Sequence, residues 1–277
     1  KNRWNLDYSA DEILVAGGSR PLIYATFKTI VDEGDKVVYP IPSWNNNHYA
    51  YLTHAEKIEV ETSQSNNFLP TAEELKPHLE GAVLLALCSP LNPTGTMFTK
   101  DQLTEICELV LEENKKRDEN EKPLYLMYDQ IYAMLTFDEE HFNPVSLFPE
   151  MKKYTVFIDG TSKCFAATGV RVGWSFGPAE IIDKMKSLLG HIGAWAPKPE
   201  QQAVSVFLGE TENVDFFVND FKGKIAESLK ILHTGIQEMK SRGLQVDSIK
   251  PMGALYLTIE LDYLGKTKPD GSQIADS

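Results

Sequence analysis

A chain of 277 residues, 42% hydrophobic and 24% charged, suits one large domain or two modest ones and can bury a sizeable core. No apolar run approaches the roughly 20 residues of a membrane span, and Lys1-Asn2-Arg3-Trp4-Asn5 lacks the apolar stretch of a secretory signal. The net charge of −13, from 27 Lys+Arg against 40 Asp+Glu, disfavours non-specific nucleic-acid binding, and the three cysteines, Cys88, Cys107 and Cys164, contain no CxxC pair and read as reduced thiols of a cytoplasmic protein.

Strand-like and helical patterns alternate along the chain. Glu12–Ala16 reads as a strand, and Gly17-Gly18-Ser19 then turns into a helix with Pro21 in its first turn and a stop at Gly34. Lys36–Tyr39 is the next strand, closed by Pro40 and Pro42, and Lys57–Glu61 another. Thr71-Ala72-Glu73-Glu74 is a capping box that opens a short helix. Ala82–Cys88 is a continuous apolar run of strand length, the pattern of a parallel strand buried on both faces. A second capping box spans Thr99–Gln102, followed at helical spacing by Leu103, Ile106, Cys107 and Val110. The polar stretch Glu113–Lys122 reads as an exposed loop. Leu124–Tyr128, Tyr154–Ile158 and Val172–Phe176 are further strands. This alternation predicts an α/β fold with a mainly parallel sheet flanked by helices.

The pattern changes after about Glu200. A long helix is predicted over Asn213–Met239, with Phe216, Phe217, Phe221, Ile225, Leu229 and Leu232 as its apolar face and Gly243 as its stop. Gly253–Leu261 gives one more strand, which needs partners, and Lys266–Ser277 is a polar tail. Two domains follow: residues 1–212 as a large domain, and residues 213–277 as a connecting helix and the beginning of a smaller α+β domain.

In open parallel sheets, ligands sit outside the carboxyl ends of the strands. The polar residues that follow the predicted strands are Gly17-Gly18-Ser19, Trp44, Asn92, Asp129 with Tyr132, and Lys163 with Arg171. Each has an ordinary reading by itself. Gly-Gly-Ser is a turn, Trp44 a packing residue, Asn92-Pro93-Thr94-Gly95 a β-turn, Asp129 a helix cap and Lys163 a solvated lysine. As a set they supply two cations, a carboxylate, neutral hydrogen-bonders, an aromatic plate and a glycine-rich helix start. That inventory suits a planar, anionic, phosphorylated cofactor with a reactive carbonyl.

The segment Asp159-Gly160-Thr161-Ser162-Lys163-Cys164-Phe165-Ala166-Ala167-Thr168-Gly169-Val170-Arg171-Val172-Gly173-Trp174 resembles the lysine signature of class I/II, fold type I aminotransferases, including the eight-residue step from Lys163 to Arg171. Ser89-Pro90-Leu91-Asn92-Pro93-Thr94-Gly95 is similar to that family's Asn-Pro-x-Gly motif, Tyr128-Asp129-Gln130-Ile131-Tyr132 to its Asp-x-x-Tyr motif, and Pro42-Ser43-Trp44 to the loop with its ring-stacking aromatic. The motifs keep the family's order, and the resemblance covers about residues 10–262.

The resemblance implies pyridoxal 5′-phosphate held by Lys163 as an internal aldimine, with Asp129 on the pyridine nitrogen. It implies that Asn92 and Tyr132 meet the ring phenolate and that Trp44 stacks on the ring. Gly18, Ser19 and Arg171 would hold the phosphate, and Lys163 would later move the proton from Cα. Many members have a phosphate-binding Ser where this chain has Gly160, which leaves Ser162 as a substitute. Asn47 stands where some have a His.

The family also implies a preceding arm with a Tyr that reaches the partner subunit. It implies roughly a hundred following residues with the Arg that grips the substrate carboxylate. The expected activity is amino-group exchange between an amino acid and a 2-oxo acid by a cytoplasmic homodimer. A C–S or β-lyase on the same platform, or a non-catalytic effector-binding module of a regulator, are the alternatives. The six histidines show no HxxxH spacing, so no metal site is expected.

Overall fold

The computed structural model describes Trp4 and residues 6–275. In chain order its elements are β1 (Ile13–Ala16), α1 (Ser19–Ile30), β2 (Lys36–Ile41), α2 (Asn46–Thr53), β3 (Glu56–Glu61), α3 (Ala72–Leu75), β4 (Ala82–Cys88), α4 (Lys100–Lys116), β5 (Tyr125–Asp129), α5 (Pro144–Leu147), β6 (Thr155–Gly160), β7 (Gly173–Phe176), α6 (Ala179–His191), α7 (Lys198–Gly209), α8 (Thr211–Ser241), β8 (Val246–Ser248) and β9 (Ile259–Leu261). Short 3-10 turns join several of them.

The first seven strands form one sheet in the order β1-β7-β6-β5-β4-β2-β3. The apolar run β4 lies inside it, parallel to β2 on one side and β5 on the other. Both of its faces are covered, which is why it carries no polar alternation. Leu84 and Ala86 face a core with α1 and α6, while Leu85 and Leu87 face a second core with α4. Both expected capping boxes form: Glu74 N donates to Thr71 Oγ1 at 3.2 Å, and Gln102 N to Thr99 Oγ1 at the same distance.

Pro40 lies within β2 rather than beyond it. Ile41 O accepts from Thr62 N on the β3 side, so Pro40 faces the β4 side, where pairing has already stopped at Val38. Its missing N–H therefore costs no ladder bond.

Several elements differ from their sequence-based expectation. α1 ends at Ile30, because Val31 is extended, and Gly34 shapes the turn beyond it. α4 runs on to Lys116, so Glu113 is a buried helical residue instead of part of an exposed loop. Glu113 Oε1 accepts from Arg117 Nη2 at 3.2 Å, and Arg117 also donates to Leu79 O and Lys122 O. β7 is antiparallel to both of its neighbours, β1 and β6. Four helices, α2, α5, α6 and α7, lie outside the expected elements.

The last expected strand shrinks to β9, and its partner is β8, with Val246 opposite Leu261. The apolar face of α8 is narrower than its composition suggests. Phe221, Ile225 and Leu229 pack inward, whereas Phe216 is 78% exposed and Leu232 is also exposed. Gly243 closes α8 as expected, with Leu244 N reaching back to Met239 O at 3.2 Å.

Candidate cofactor site

A cleft of about 270 Å³ opens at the carboxyl ends of the parallel strands. Its wall contains Ser19, Trp44, Asn92, Asp129, Tyr132 and Lys163 from the sequence-derived set. Parallel strands bring this about: the residue that ends each strand, or the loop that follows, reaches the same edge of the sheet. Asp129 ends β5, Asn92 follows β4, and Lys163 sits in the loop between β6 and β7.

The lysine loop is pinned to its surroundings. Thr161 N and Oγ1 both donate to Val172 O at 3.0 Å, closing the loop across its base. Cys164 Sγ donates to Ile131 O at 3.1 Å, so the loop with Lys163 is tied to the turn with Asp129 and Tyr132.

Asp129 Oδ1 accepts from Ile131 N at 3.1 Å. Burial pushes its carboxyl up to about 6, against the opposing pull of that N–H and of the Lys163 charge. Tyr132 is 3% exposed, and burial, followed by its bond to Tyr256, drives its phenol far above the usual range. Tyr132 Oη lies 2.6 Å from Tyr256 Oη, within hydrogen-bond distance. Trp44 is 52% exposed, and the Arg20 guanidinium lies 5.9 Å from its ring centre.

Gly18 and Arg171 meet beside this wall rather than on it. Gly18 has φ 104° and ψ 177°, a region essentially closed to other residues, and a Cβ there would overlap the Arg171 guanidinium. Arg171 Nη2 donates to Gly17 O at 2.8 Å, and Nη1 to Thr168 O at 2.7 Å. The Gly18 N–H is already given to Ala16 O at 2.7 Å. Gly18 therefore contributes space, and the N–H groups without a helical acceptor begin at Ser19.

Gly160 is enclosed as well. A Cβ would stand 2.9 Å from Gly173 Cα and 3.1 Å from Val172 O, so the β6–β7 pairing leaves no room for a serine at that position. Ser162 is buried and does not line the cleft. Asn47 is exposed on α2, while its neighbour Asn46 is buried and lines the cleft.

Sequence reasoning missed Arg20, Asn46, Tyr49 and Tyr256, all on the wall. Asn46 and Tyr49 stand one helical turn apart on α2, a spacing legible once α2 is recognised. Tyr256 carries no local signal. It also missed Asp159, the carboxyl one strand away from Asp129 at the end of β6. Burial and then the Asp129 charge raise Asp159 to about 7, opposed by bonds from Gly160 N at 2.7 Å and Gln130 Nε2 at 3.4 Å. Among the described residues no cluster of His, Cys, Asp and Glu could hold a metal ion.

A family model described as "Aminotransferase class I and II" matches residues 2–270. An aspartate aminotransferase of Bacillus sp. (strain YM-2) is 30% identical over 256 residues, covering 91% of this chain and 61% of the relative. A putative aminotransferase of Bacillus subtilis, YugH, is 34% identical over 73% of this chain and 50% of its own length. Among solved structures, the Rhizobium meliloti aspartate aminotransferase superposes with a TM-score of 0.87 at 25% identity, covering 98% of this chain and 65% of that one. The Thermus thermophilus aspartate aminotransferase with maleate gives 0.84 at 26% identity, covering 92% and 63%. The chain thus spans between half and two thirds of the length of these relatives.

Proposed function

The chain belongs to the class I and II aminotransferase family, and from that premise we propose that the whole protein exchanges an amino group between an amino acid and a 2-oxo acid. The family depends on pyridoxal 5′-phosphate, and the residues present fit it. One cleft holds an amine, an enclosed carboxyl, two hydrogen-bonding side chains and an aromatic plate. Beside it an arginine is anchored at a helix start. This convergence of Lys163, Asp129, Asn92, Tyr132 and Trp44 on one wall is the observation that carries the proposal.

Bound pyridoxal phosphate supplies a reactive aldehyde carbon and a protonated ring that takes up the electron pair released at the donor's Cα. Lys163 Nζ would anchor the cofactor and later hold the proton taken from Cα. Asp129 would keep a proton on the ring nitrogen, and its raised affinity for protons suits it to a cationic partner in an enclosed place. Asn92 and Tyr132 would meet the ring oxygen, and Trp44 would cover one ring face. Ser19, the α1 N-terminus with its positive dipole end, and Arg171 would hold the phosphate. Gly18 leaves Arg171 room to do so.

The relatives named aspartate aminotransferases, and the maleate in one solved neighbour, favour a dicarboxylic donor. Arg20 on the wall is a cation complementary to it. We also read residues 1–212 as the cofactor-binding domain and 213–277 as the connecting helix and the start of a small domain, in a homodimeric protein. Three cysteines outside any disulfide fit a cytoplasmic location, and no described helix is long and apolar enough to cross a membrane. The test is to load the full-length protein with pyridoxal phosphate and offer aspartate with 2-oxoglutarate. Glutamate and oxaloacetate in equal amounts support the proposal. If an S-alkyl cysteine is offered instead, release of the thiol with pyruvate and ammonia, and no glutamate from aspartate, would make it a lyase.

A further inference from the structure

Among the described residues, Tyr256 is the one on the cleft wall that comes from beyond α8. It arrives on a strap over residues 252–258 that turns at Ala254 and Leu255, where Ala254 has φ 59°. Met252 N and Gly253 N both donate to Gly95 O, at 2.8 and 2.9 Å, and Thr258 Oγ1 donates to Pro93 O at 3.2 Å. These bonds fasten the strap to the turn that bears Asn92. On its other edge, Ala254 N donates to Leu135 O at 2.8 Å, and Met252 O accepts from Phe137 N at 3.0 Å. Those bonds fasten it to the segment that follows Tyr132. The strap thus spans the two loops that present Asn92 and Tyr132 to the cleft, and it places the Tyr256 ring edge-on to Tyr132, with centroids 5.6 Å apart.

A phenol has one proton to give and two lone pairs to receive. Of the two hydroxyls 2.6 Å apart, only one donates to the other. If Tyr132 gave its proton to Tyr256, it would present only lone pairs to the cleft, which a negatively charged ring oxygen would repel. The reverse order leaves the Tyr132 proton free to point into the cleft. The other titratable groups facing Tyr132 are Cys88 at the end of β4 and Asp129 at the end of β5, with Lys163 beyond Asp129. Cys88 is occupied in donating to Pro90 O at 3.2 Å, and Asp129 accepts from Ile131 N, so neither replaces Tyr256 as the donor.

We propose that Tyr256 is a positioning residue: its hydroxyl donates to Tyr132, turns the Tyr132 proton toward the cofactor's ring oxygen, and links that proton to the seating of the C-terminal strap. The inference rests on the reading of the cleft as a pyridoxal phosphate site. Hydrogen bonds in a chain polarise one another by about 10–30% per bond, so removing Tyr256 Oη weakens the donation by Tyr132. The ring oxygen then keeps more negative charge and holds the proton at Lys163 Nζ to a higher pH.

The test uses the full-length protein loaded with pyridoxal phosphate. The pH midpoint of its visible absorbance change is measured for wild type, Tyr256→Phe, Tyr132→Phe and the double variant, with cofactor affinity measured by quenching of tryptophan fluorescence. Tyr256→Phe keeps the ring and its packing. It should raise the midpoint by roughly a few tenths of a pH unit, in line with that polarisation. Tyr132→Phe should raise it further, and adding Tyr256→Phe to Tyr132→Phe should change nothing. A midpoint unmoved by Tyr256→Phe, or moved equally in both backgrounds, overturns the relay while leaving the cofactor site intact. If the wild-type protein takes up no pyridoxal phosphate, the reading of the cleft falls and the relay with it.

Discussion

Replacing Gly18 with alanine strikes the proposed phosphate end of the cleft in two ways that can be measured apart. The first is backbone strain, because φ 104° with ψ 177° is a glycine conformation and holding alanine there costs about 1–3 kcal/mol. The second is steric, because the new methyl group occupies the place of the Arg171 guanidinium. Arg171 must then swing away and give up its bonds to Gly17 O and Thr168 O, and with them its aim at the phosphate. A hydrogen bond between charged groups contributes about 1.5–3 kcal/mol, and the exposure of Arg171 places it at the low end, so cofactor affinity should fall about tenfold.

Gly34→Ala is the control. Gly34 also has positive φ, 86°, but a Cβ there meets nothing within 4 Å. Both variants of the full-length protein should lose thermal stability, by about 2–4 °C for each kcal/mol of strain. Only Gly18→Ala should weaken pyridoxal phosphate binding in a fluorescence titration. Equal affinities in the two variants would show that Arg171 does not hold the phosphate.

Lys163→Ala should abolish covalent attachment of the cofactor, read by mass spectrometry after borohydride reduction. Label on another lysine would displace Lys163 from the role. Asp129→Asn should keep most of the cofactor affinity, since the phosphate end is untouched, yet slow turnover about a thousandfold or more through loss of several kcal/mol of transition-state stabilisation. A saturated variant turning over at the wild-type rate would refute this. Asp159 has a pH signature: the folded cofactor-free protein holds its proton up to about 7, whereas the unfolded chain releases it near 3.8. The stability Asp159 contributes is therefore full below the lower value and is lost as pH rises toward 7. Urea denaturation should show wild type falling relative to Asp159→Asn across that window, and a constant difference would contradict the burial argument. Glu113→Ala leaves the Arg117 guanidinium buried without its carboxylate, and because two carbonyls still accept from it the loss should sit near about 3 kcal/mol. A loss below about 1 kcal/mol by denaturant titration would mean that water reaches Arg117.

Much of the site was legible because its information is local. Asn92, Asp129 and Lys163 each follow a strand whose apolar run is visible in the sequence, and parallel strands deliver such residues to one edge wherever the strands stand in the sheet. The capping boxes at Thr71 and Thr99 were equally local, since two residues three positions apart satisfy one another without help from the rest of the chain.

Other features depend on chain segments far apart in sequence. The reversal of β7 follows from a connection that forms the lysine loop and contains no crossover helix to carry the chain back parallel. The polar run at Glu113 looks solvated until Arg117 folds over it and binds the carbonyls of Leu79 and Lys122. A serine at Gly160 is excluded only by Gly173 across the β6–β7 pair. Tyr256 reaches Tyr132 because the strap binds both the Asn92 turn and the segment after Tyr132, contacts between residues more than a hundred positions apart that no periodicity records. Residue identity and strand periodicity therefore determined which groups could do the chemistry. The close approach of distant backbones decided which of them have room to act and which neighbours direct their protons.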